Sequence, residues 1–229
     1  MSSSPTPPLT IPLPGRVQAA PDGASGFDAN TVISSSVGQQ FVSQGFNFCV
    51  RYLSLQNTEQ SHDLSAGEAA DILNAGLALM AVQHVRFPGW SPSADLGQQD
   101  GNIAVQHATS IGLPSGMNLW CDLEGVAEGT AAQDVIDHCT SWFAAVSAAG
   151  YVPGLYVGSD AILDGQQLYD LPFEHYWQSC SRVPALPVRG YQIVQTLCPN
   201  EVNGIGIDKD ATQTDGKGGQ ALWLAPEGS

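Results

Sequence analysis

The run Leu119-Trp-Cys-Asp-Leu-Glu-Gly125 places two acids, Asp122 and Glu124, one residue apart at the end of an apolar segment. Side chains alternate faces along a strand, so these two carboxyls point the same way. Residues at i and i+2 sit about 7 Å apart at Cα, close enough for both to flank one sugar ring. Glycoside cleavage uses such a pair. One carboxylic acid protonates the leaving oxygen, and another stabilises the developing positive charge or orients the nucleophile. Carboxyls gathered at close range cannot all ionise, so at least one must keep its proton near neutrality.

Other segments supply further acids by the same parity. In Gly26-Phe-Asp-Ala-Asn30, Gly26, Asp28 and Asn30 share a face opposite Phe27; in Gly204-Ile-Gly-Ile-Asp-Lys-Asp210, Asp208 and Asp210 lie opposite Ile205 and Ile207. Asp28, Asp122, Glu124 and Asp208 are therefore the expected catalytic set. Around them the strand ends offer Arg51, Tyr52, Gln83, His84, Tyr176, Gln178 and Gln195, and all of these but Gln83 and Tyr176 are expected to bind substrate. Trp90, Tyr156 and Trp177 are candidates to stack on pyranose faces. Trp90, flanked by Pro88, Gly89 and Pro92, is the one most expected to be exposed. The competing reading is that strand-end acids merely cap loops or pair with Arg51, Arg86 and Lys209. Among the histidines only His84 falls near a strand end facing the mouth; His62, His107, His138 and His175 fit loops or solvated helix faces. A metal site built from Asp28, His84, Glu124 and Asp208 lacks any short ligand motif, so no metal and no cofactor are expected. Nucleophilic serine chemistry lacks its GxSxG turn, and Cys121 points away from the mouth.

What must position these groups is legible in the periodicity. Strand-like runs lie at Gly26–Asn30, Phe46–Tyr52, Leu77–Arg86, Met117–Glu124, Pro153–Gly158, His175–Cys180, Gly190–Thr196 and Gly204–Asp210. Helical segments alternate with most of them: 35–44, 65–75 behind the capping box Ser65-x-x-Glu68, 95–110, 130–149 and a short one across 160–169. Alternation of this kind predicts parallel strands joined by crossovers. Eight strands in a chain of this length favour a closed barrel over an open doubly wound sheet. The open sheet's dinucleotide version would carry GxGxxG after the first strand, where GFDANTVISSS stands instead. The expected fold is a single α/β, modified TIM-type barrel over residues 26–229. Its helices are reduced in the C-terminal part, where the last two connections are too short for full ones. Residues 1–25 are expected to be a Pro/Ser-rich flexible arm.

Composition narrows the partners. With 22 acidic residues against 7 Lys plus Arg, the formal net charge is -15, which repels nucleic-acid phosphates and anionic membranes. No segment approaches the apolar length of a membrane span. A neutral substrate or none is therefore expected, with no nucleic acid, no membrane insertion and a monomeric chain. The N-terminus lacks the charged start and apolar run of a signal peptide. Action outside the cytoplasm would therefore use a route not encoded in a visible signal. The 5 cysteines show no zinc-knuckle spacing; buried free thiols are the preferred reading, and a Cys180–Cys198 pairing stays open.

The segments GFDAN, FCVRYLS, LSAGEAADILNAG, ATSIGLPSGMNLWCDLEG, AAGYVPGLYVGS and GIDKD resemble a glycoside-hydrolase-like domain family of unknown function. That family is related to the family 25 lysozymes, whose Asp-x-Glu motif ends strand four. The resemblance runs from Gly26 to about Trp223, and Asp122-Leu-Glu124 behind the Gly112-Leu-Pro114 turn is its most specific piece. It implies a modified TIM barrel that cleaves the N-acetylmuramic acid to N-acetylglucosamine linkage, and so a partner that is peptidoglycan or a related polysaccharide. Glu124 would be the general acid, and Asp122 would stabilise an intermediate formed with the substrate's own N-acetyl group. Asp28 and Asp208 would complete an acidic floor. A non-catalytic wall-binding module on the same fold is the alternative.

Overall fold

Runs rich in strand formers and helices stopped by glycine alternate along the chain, and they fold as that rhythm predicts. The computed structural model describes residues 13–228. Its elements are β1 (Arg16–Ala19), β2 (Ser25–Ala29), α1 (Ser35–Ser43), β3 (Phe48–Leu53), α2 (Ala66–Ala75), β4 (Ala78–Gln83), α3 (Ala94–Ile111) and β5 (Asn118–Leu123). After these come α4 (Ala132–Ala148), β6 (Val152–Val157), α5 (Gly165–Asp170), β7 (His175–Gln178), β8 (Ile193–Val202), β9 (Ile205–Thr212) and β10 (Leu222–Ala225).

Strands pair in the order β4-β3-β2-β9-β8-β7-β6-β5, and β5 pairs back to β4, so the eight close into a barrel. Seven run parallel, with crossovers between. The expectation of parallel strands fails for the eighth: β9 is antiparallel to both β2 and β8. The cause is local. Asn203 and Gly204 both have positive φ (54° and 75°), the geometry of a two-residue hairpin turn, and two residues cannot cross over a sheet. Because β9 runs downward, Asp208 reaches the rim from the first half of its strand, level with Asp28.

The expected arm lies outside the described residues up to position 12. Beyond them, Arg16–Ala19 is a strand that pairs antiparallel with β10, which in turn touches β4 at Leu224 opposite Leu79. Ala20, Ala24, Ala221 and Trp223 join Phe48, Val50, Met80, Val82, Trp120 and Trp177 in the barrel interior. The apolar interior thus fills the lower barrel, and the polar residues are left to its top. A second and larger core packs the outward residues of the strands against the helices.

Helices α1, α2, α3 and α5 start at capping side chains, whereas α4 starts at Ala131 without one. The Ser65 hydroxyl accepts from the Glu68 amide at 3.2 Å, half of the expected box. The Glu68 carboxylate turns instead to Arg51 (2.6 Å) and the Ile33 amide (2.8 Å). The complete capping box belongs to α5, through Asp164 and Gln167.

Helices α3 and α4 pack closely because α3 turns Gly97 and Gly101 toward α4. A Cβ at Gly97 would overlap the His138 carbonyl, and one at Gly101 would lie 2.9 Å from the Trp142 carbonyl oxygen. Backbone cannot yield as a flexible side chain can. Gly97→Ala should therefore cost about 2–3 kcal/mol, despite alanine's better helix propensity. Chemical denaturation would check this, and a neutral or stabilising outcome would show that the two helices can separate freely.

Candidate active site

At the top of the interior, β2, β5 and β9 bring carboxyls together. Asp28 accepts from the Tyr52 hydroxyl on β3 (3.0 Å) and from Gln195 Nε2 on β8 (2.8 Å). The same amide nitrogen reaches Asp208 at 3.4 Å. Gln195 Oε1 accepts from the Tyr156 hydroxyl (3.2 Å) and the Cys180 amide (3.0 Å). One glutamine thus joins two carboxyls, a tyrosine and the backbone after β7. Below it Asp210 accepts from Trp177 Nε1 at 2.9 Å, and its other oxygen is buried without a hydrogen-bond partner. Asp122 is buried on β5 with Oδ1 unpartnered.

Electrostatics follow from this crowding. Burial pushes Asp28 up to about 7; the neighbouring Asp208 adds to the rise, and the hydrogen bonds from Gln195 and Tyr52 oppose it. Burial also lifts Asp122 well above the carboxylate range, with Glu124 and then Asp28 adding like-charge repulsion. Glu124 is raised by burial, then by Asp208 and Asp160. Asp208 is raised by burial, and Asp210 well above its usual value by burial, then by Asp28. Asp28, Asp122 and Asp210 share one buried, low-dielectric space beneath the half-buried Glu124 and Asp208, an arrangement that favours protonated over ionised carboxyls.

None of the three cations considered from sequence neutralises them. Arg51 pairs with Glu68 on α2. Arg86 forks onto Asp100 of α3, one arm at 2.8 Å. Lys209 alternates outward, its Nζ 5.8 Å from the centre of the Phe46 ring. The reading of these acids as partners of Arg51, Arg86 and Lys209 is overturned.

Glu124 sits just past β5, held through its backbone. Trp90 Nε1 donates to the Glu124 carbonyl at 2.8 Å. Gly89 donates to the Gly125 carbonyl at 2.7 Å, and Gly125 to Ser159 at 2.8 Å. Gly125 has φ 64° and lies against Pro88, which suits glycine there. The Glu124 carboxylate lies over Gly158, where a Cβ would overlap it. Glu124 is half-buried and open to the rim, whereas Asp122 beneath it is buried.

Several expected substrate contacts are placed otherwise. Arg51 is wholly buried on the helix side, since β3 turns residues 49, 51 and 53 outward. Gln178 alternates to the helix side of β7 with Tyr176, so it does not face the mouth. Trp90 is 8% exposed, not a solvent platform, because its indole bonds the Glu124 carbonyl and its ring meets His138 edge-on. Trp177 is 1% exposed and packs against Tyr156 and Trp120 in the interior; no sugar reaches it from the rim. Gln195 is also buried and acts on the carboxyls. Tyr52, His84 and Tyr156 remain at the mouth, with His84 stacked on Tyr52 at 4.7 Å. His107 and His138 are buried, not on solvated faces; His107 accepts from the Ser54 amide at 2.7 Å. Asp210 and Asp160 join the electrostatics unforeseen as site residues, although Asp210 had the same inward parity as Asp208.

Cys180 and Cys198 are bonded, which settles the open pairing; Cys49, Cys121 and Cys139 are free and buried. The bond ties the end of β7 to the bulged segment of β8, and Cys198 Sγ lies 3.5 Å from Gln195 Oε1. It closes a loop with a sequence separation of 18, which corresponds to about 3 kcal/mol of stability. Thermal melting with and without a thiol reductant should show that loss; an unchanged melting temperature would mean that the strand pairing alone holds the segment.

With this geometry in place, comparison with known proteins assigns the chain. Residues 39–212 match the Rv2525c-like, glycoside hydrolase-like domain family. The chain belongs to that family. Its fold is shared with an uncharacterised protein of B. stearothermophilus: 19% identity, TM-score 0.61, over 83% of this chain and 96% of the other. The Mycobacterium tuberculosis Tat-secreted protein Rv2525c, solved with L-tartrate, aligns at TM-score 0.63 and 16% identity over 83% and 95%. The muramidase from Trichobolus zukalii aligns at TM-score 0.57 and 16% identity over 82% and 93%. A search of curated protein sequences returned no significant match. This family member is therefore a glycoside hydrolase-like barrel with structural similarity to muramidases and endolysins.

Proposed function

We propose that the protein is a peptidoglycan-cleaving glycoside hydrolase of muramidase type. The observation that carries this reading is the carboxyl cluster of Asp28, Asp122, Glu124, Asp208 and Asp210, raised in pKa and left without a cation by Arg51, Arg86 and Lys209. A structural ion-pair network would hold these acids ionised. A protonated carboxyl beside others able to ionise is what leaving-group protonation at neutral pH requires.

Glu124 serves as the general acid because it alone of the β5 pair is open to the rim. Asp122 stabilises the intermediate formed with the sugar's N-acetyl group, and Asp28 and Asp208 set the proton balance through Gln195. Tyr52 and Tyr156 line the approach. Fold similarity to the Listeria phage P40 endolysin ply40 and to the Clostridium perfringens spore cortex lytic enzyme SleM supports a wall polysaccharide as substrate. The disulfide and the likeness to a Tat-secreted protein support action outside the cytoplasm. A single barrel domain, with β1 and β10 packed at its lower end, is part of the same proposal.

Release of dye-labelled fragments and new reducing ends from purified cell walls tests the reading. The native chain should produce both. Wall binding without reducing ends would replace the enzyme with a glycan-binding module; neither binding nor release would remove the wall from consideration.

A further inference from the structure

A second cluster stands beside the acidic interior, where the loop between β3 and α2 meets the end of β4. His62, Asp63 and His84 offer one ligand atom each, all within 4.8 Å of one another. His84 Nε2 lies 3.2 Å and His62 Nε2 3.7 Å from the same oxygen, Asp63 Oδ1. That oxygen is buried and makes no hydrogen bond; nor does His84 Nε2. The Asp63 side chain is 1% exposed, and a carboxylate oxygen so deeply buried with only two poorly aligned imidazoles beside it is costly.

The surroundings hold the three groups in place. Asp63 Oδ2 accepts from the Gln60 amide at 2.7 Å, which aims Oδ1 at the imidazoles. Arg51 Nη2 donates to the His62 carbonyl at 3.0 Å, and the Leu64 amide donates to the Tyr52 carbonyl at 2.9 Å. Both ends of the His62-Asp63 pair are thus pinned to β3. The His84 ring is fixed by stacking on Tyr52. This explains the buried Arg51–Glu68 pair, which anchors the loop and not a substrate.

We propose that His62, Asp63 and His84 bind a single divalent transition ion of the Zn2+ class. Two imidazoles and one carboxylate are the ligand chemistry such ions select, and three protein ligands leave open positions. Ligand atoms at about 2.0–2.2 Å from a tetrahedral ion stand roughly 3.4 Å apart; His84 and Asp63, at 3.2 Å, already have about that spacing, and His62, its side chain 52% exposed, swings inward to close the rest. The orphaned Asp63 oxygen and the His84 nitrogen both gain a partner. The open positions face a cleft of about 560 Å³ shared with Asn30, Gln60 and Phe87. There an oxygen donor from a ligand can complete the coordination. The net charge of -15 favours cation capture.

Equilibrium dialysis of the metal-stripped full chain against Zn2+, followed by elemental analysis, tests this. About one ion per chain is expected. His62→Ala and His84→Ala should each weaken uptake at least about tenfold, and His62→Ala, at an exposed side chain, leaves the core intact. Asp208→Asn should bind as the native chain does. Co2+ substitution should give a visible d–d spectrum that His62→Ala abolishes. No stoichiometric uptake, native-level uptake by both histidine variants, or loss in Asp208→Asn would overturn the assignment; the last would place the ion among the barrel carboxyls. None of these results bears on whether the chain cleaves glycan.

Discussion

Glu124→Gln is expected to abolish reducing-end release from cell walls, lowering the rate about a hundred- to ten-thousandfold. The glutamine keeps the shape that Gly158 accommodates, and its backbone anchors to Trp90 and Ser159 are untouched. Wall binding should therefore survive while turnover does not. The pH profile supplies a second reading. Glu124 is raised by burial and by Asp208, so activity of the native chain should fall as pH rises through its ionisation. That limb should vanish from any residual activity of the glutamine variant. Asp122→Asn should also lose turnover while it retains the limb, because the proton donor is still present. Native-level release by Glu124→Gln would end its assignment as the acid.

Lowering the pH from 8.5 to 6.5 is expected to stabilise the fold, the reverse of ordinary acid sensitivity. The sign follows from linkage. Asp28 ionises at about 7 in the folded chain against 3.8 in the unfolded one. The folded state binds the extra proton, so its stabilisation is complete below 3.8 and is lost as pH rises through 7. Over the full span from 3.8 to 7 this amounts to about 4 kcal/mol at 1.36 kcal/mol per unit, of which Asp28 alone supplies about 1 kcal/mol between pH 8.5 and 6.5. Asp122 and Asp210, raised well above the carboxylate range by burial, act in the same direction at higher pH. His138 opposes them lower down: burial lowers it to about 4 from 6.5, so the stability its neutral form contributes is lost as pH falls from 6.5 toward 4. Thermal melts should rise from pH 8.5 to 6.5 and then level off. Asp28→Asn should be less pH-sensitive than the native chain. A melting temperature higher at pH 8.5 than at 6.5 would contradict the protonated cluster on which the functional reading rests.

Much of this was legible before any coordinates. Asp122 and Glu124 share a face because a strand has a period of two, and Asp28 and Asp208 follow the same count. Alternating apolar runs and glycine-stopped helices determined a barrel, because a parallel strand pair needs a crossover between its members. Even the descent of β9 was written in Asn203-Gly204, a hairpin signal that the expectation of parallel strands passed over.

Periodicity says which face a residue takes but not what meets it there. Trp90 in a proline-rich loop reads as exposed, yet the carbonyl it bonds lies 34 residues away. Arg51 and Tyr52 were equal candidates for the mouth; the presence of Glu68 on the packing helix gave the arginine to the outer side. His62 and Asp63 resembled an ordinary loop until β4 set His84 against them. A residue type and a spacing determine local geometry and facing, because both depend on neighbours in the chain. Burial, charge partners and proton affinity depend on atoms brought from distant segments, so only the closed barrel decided them.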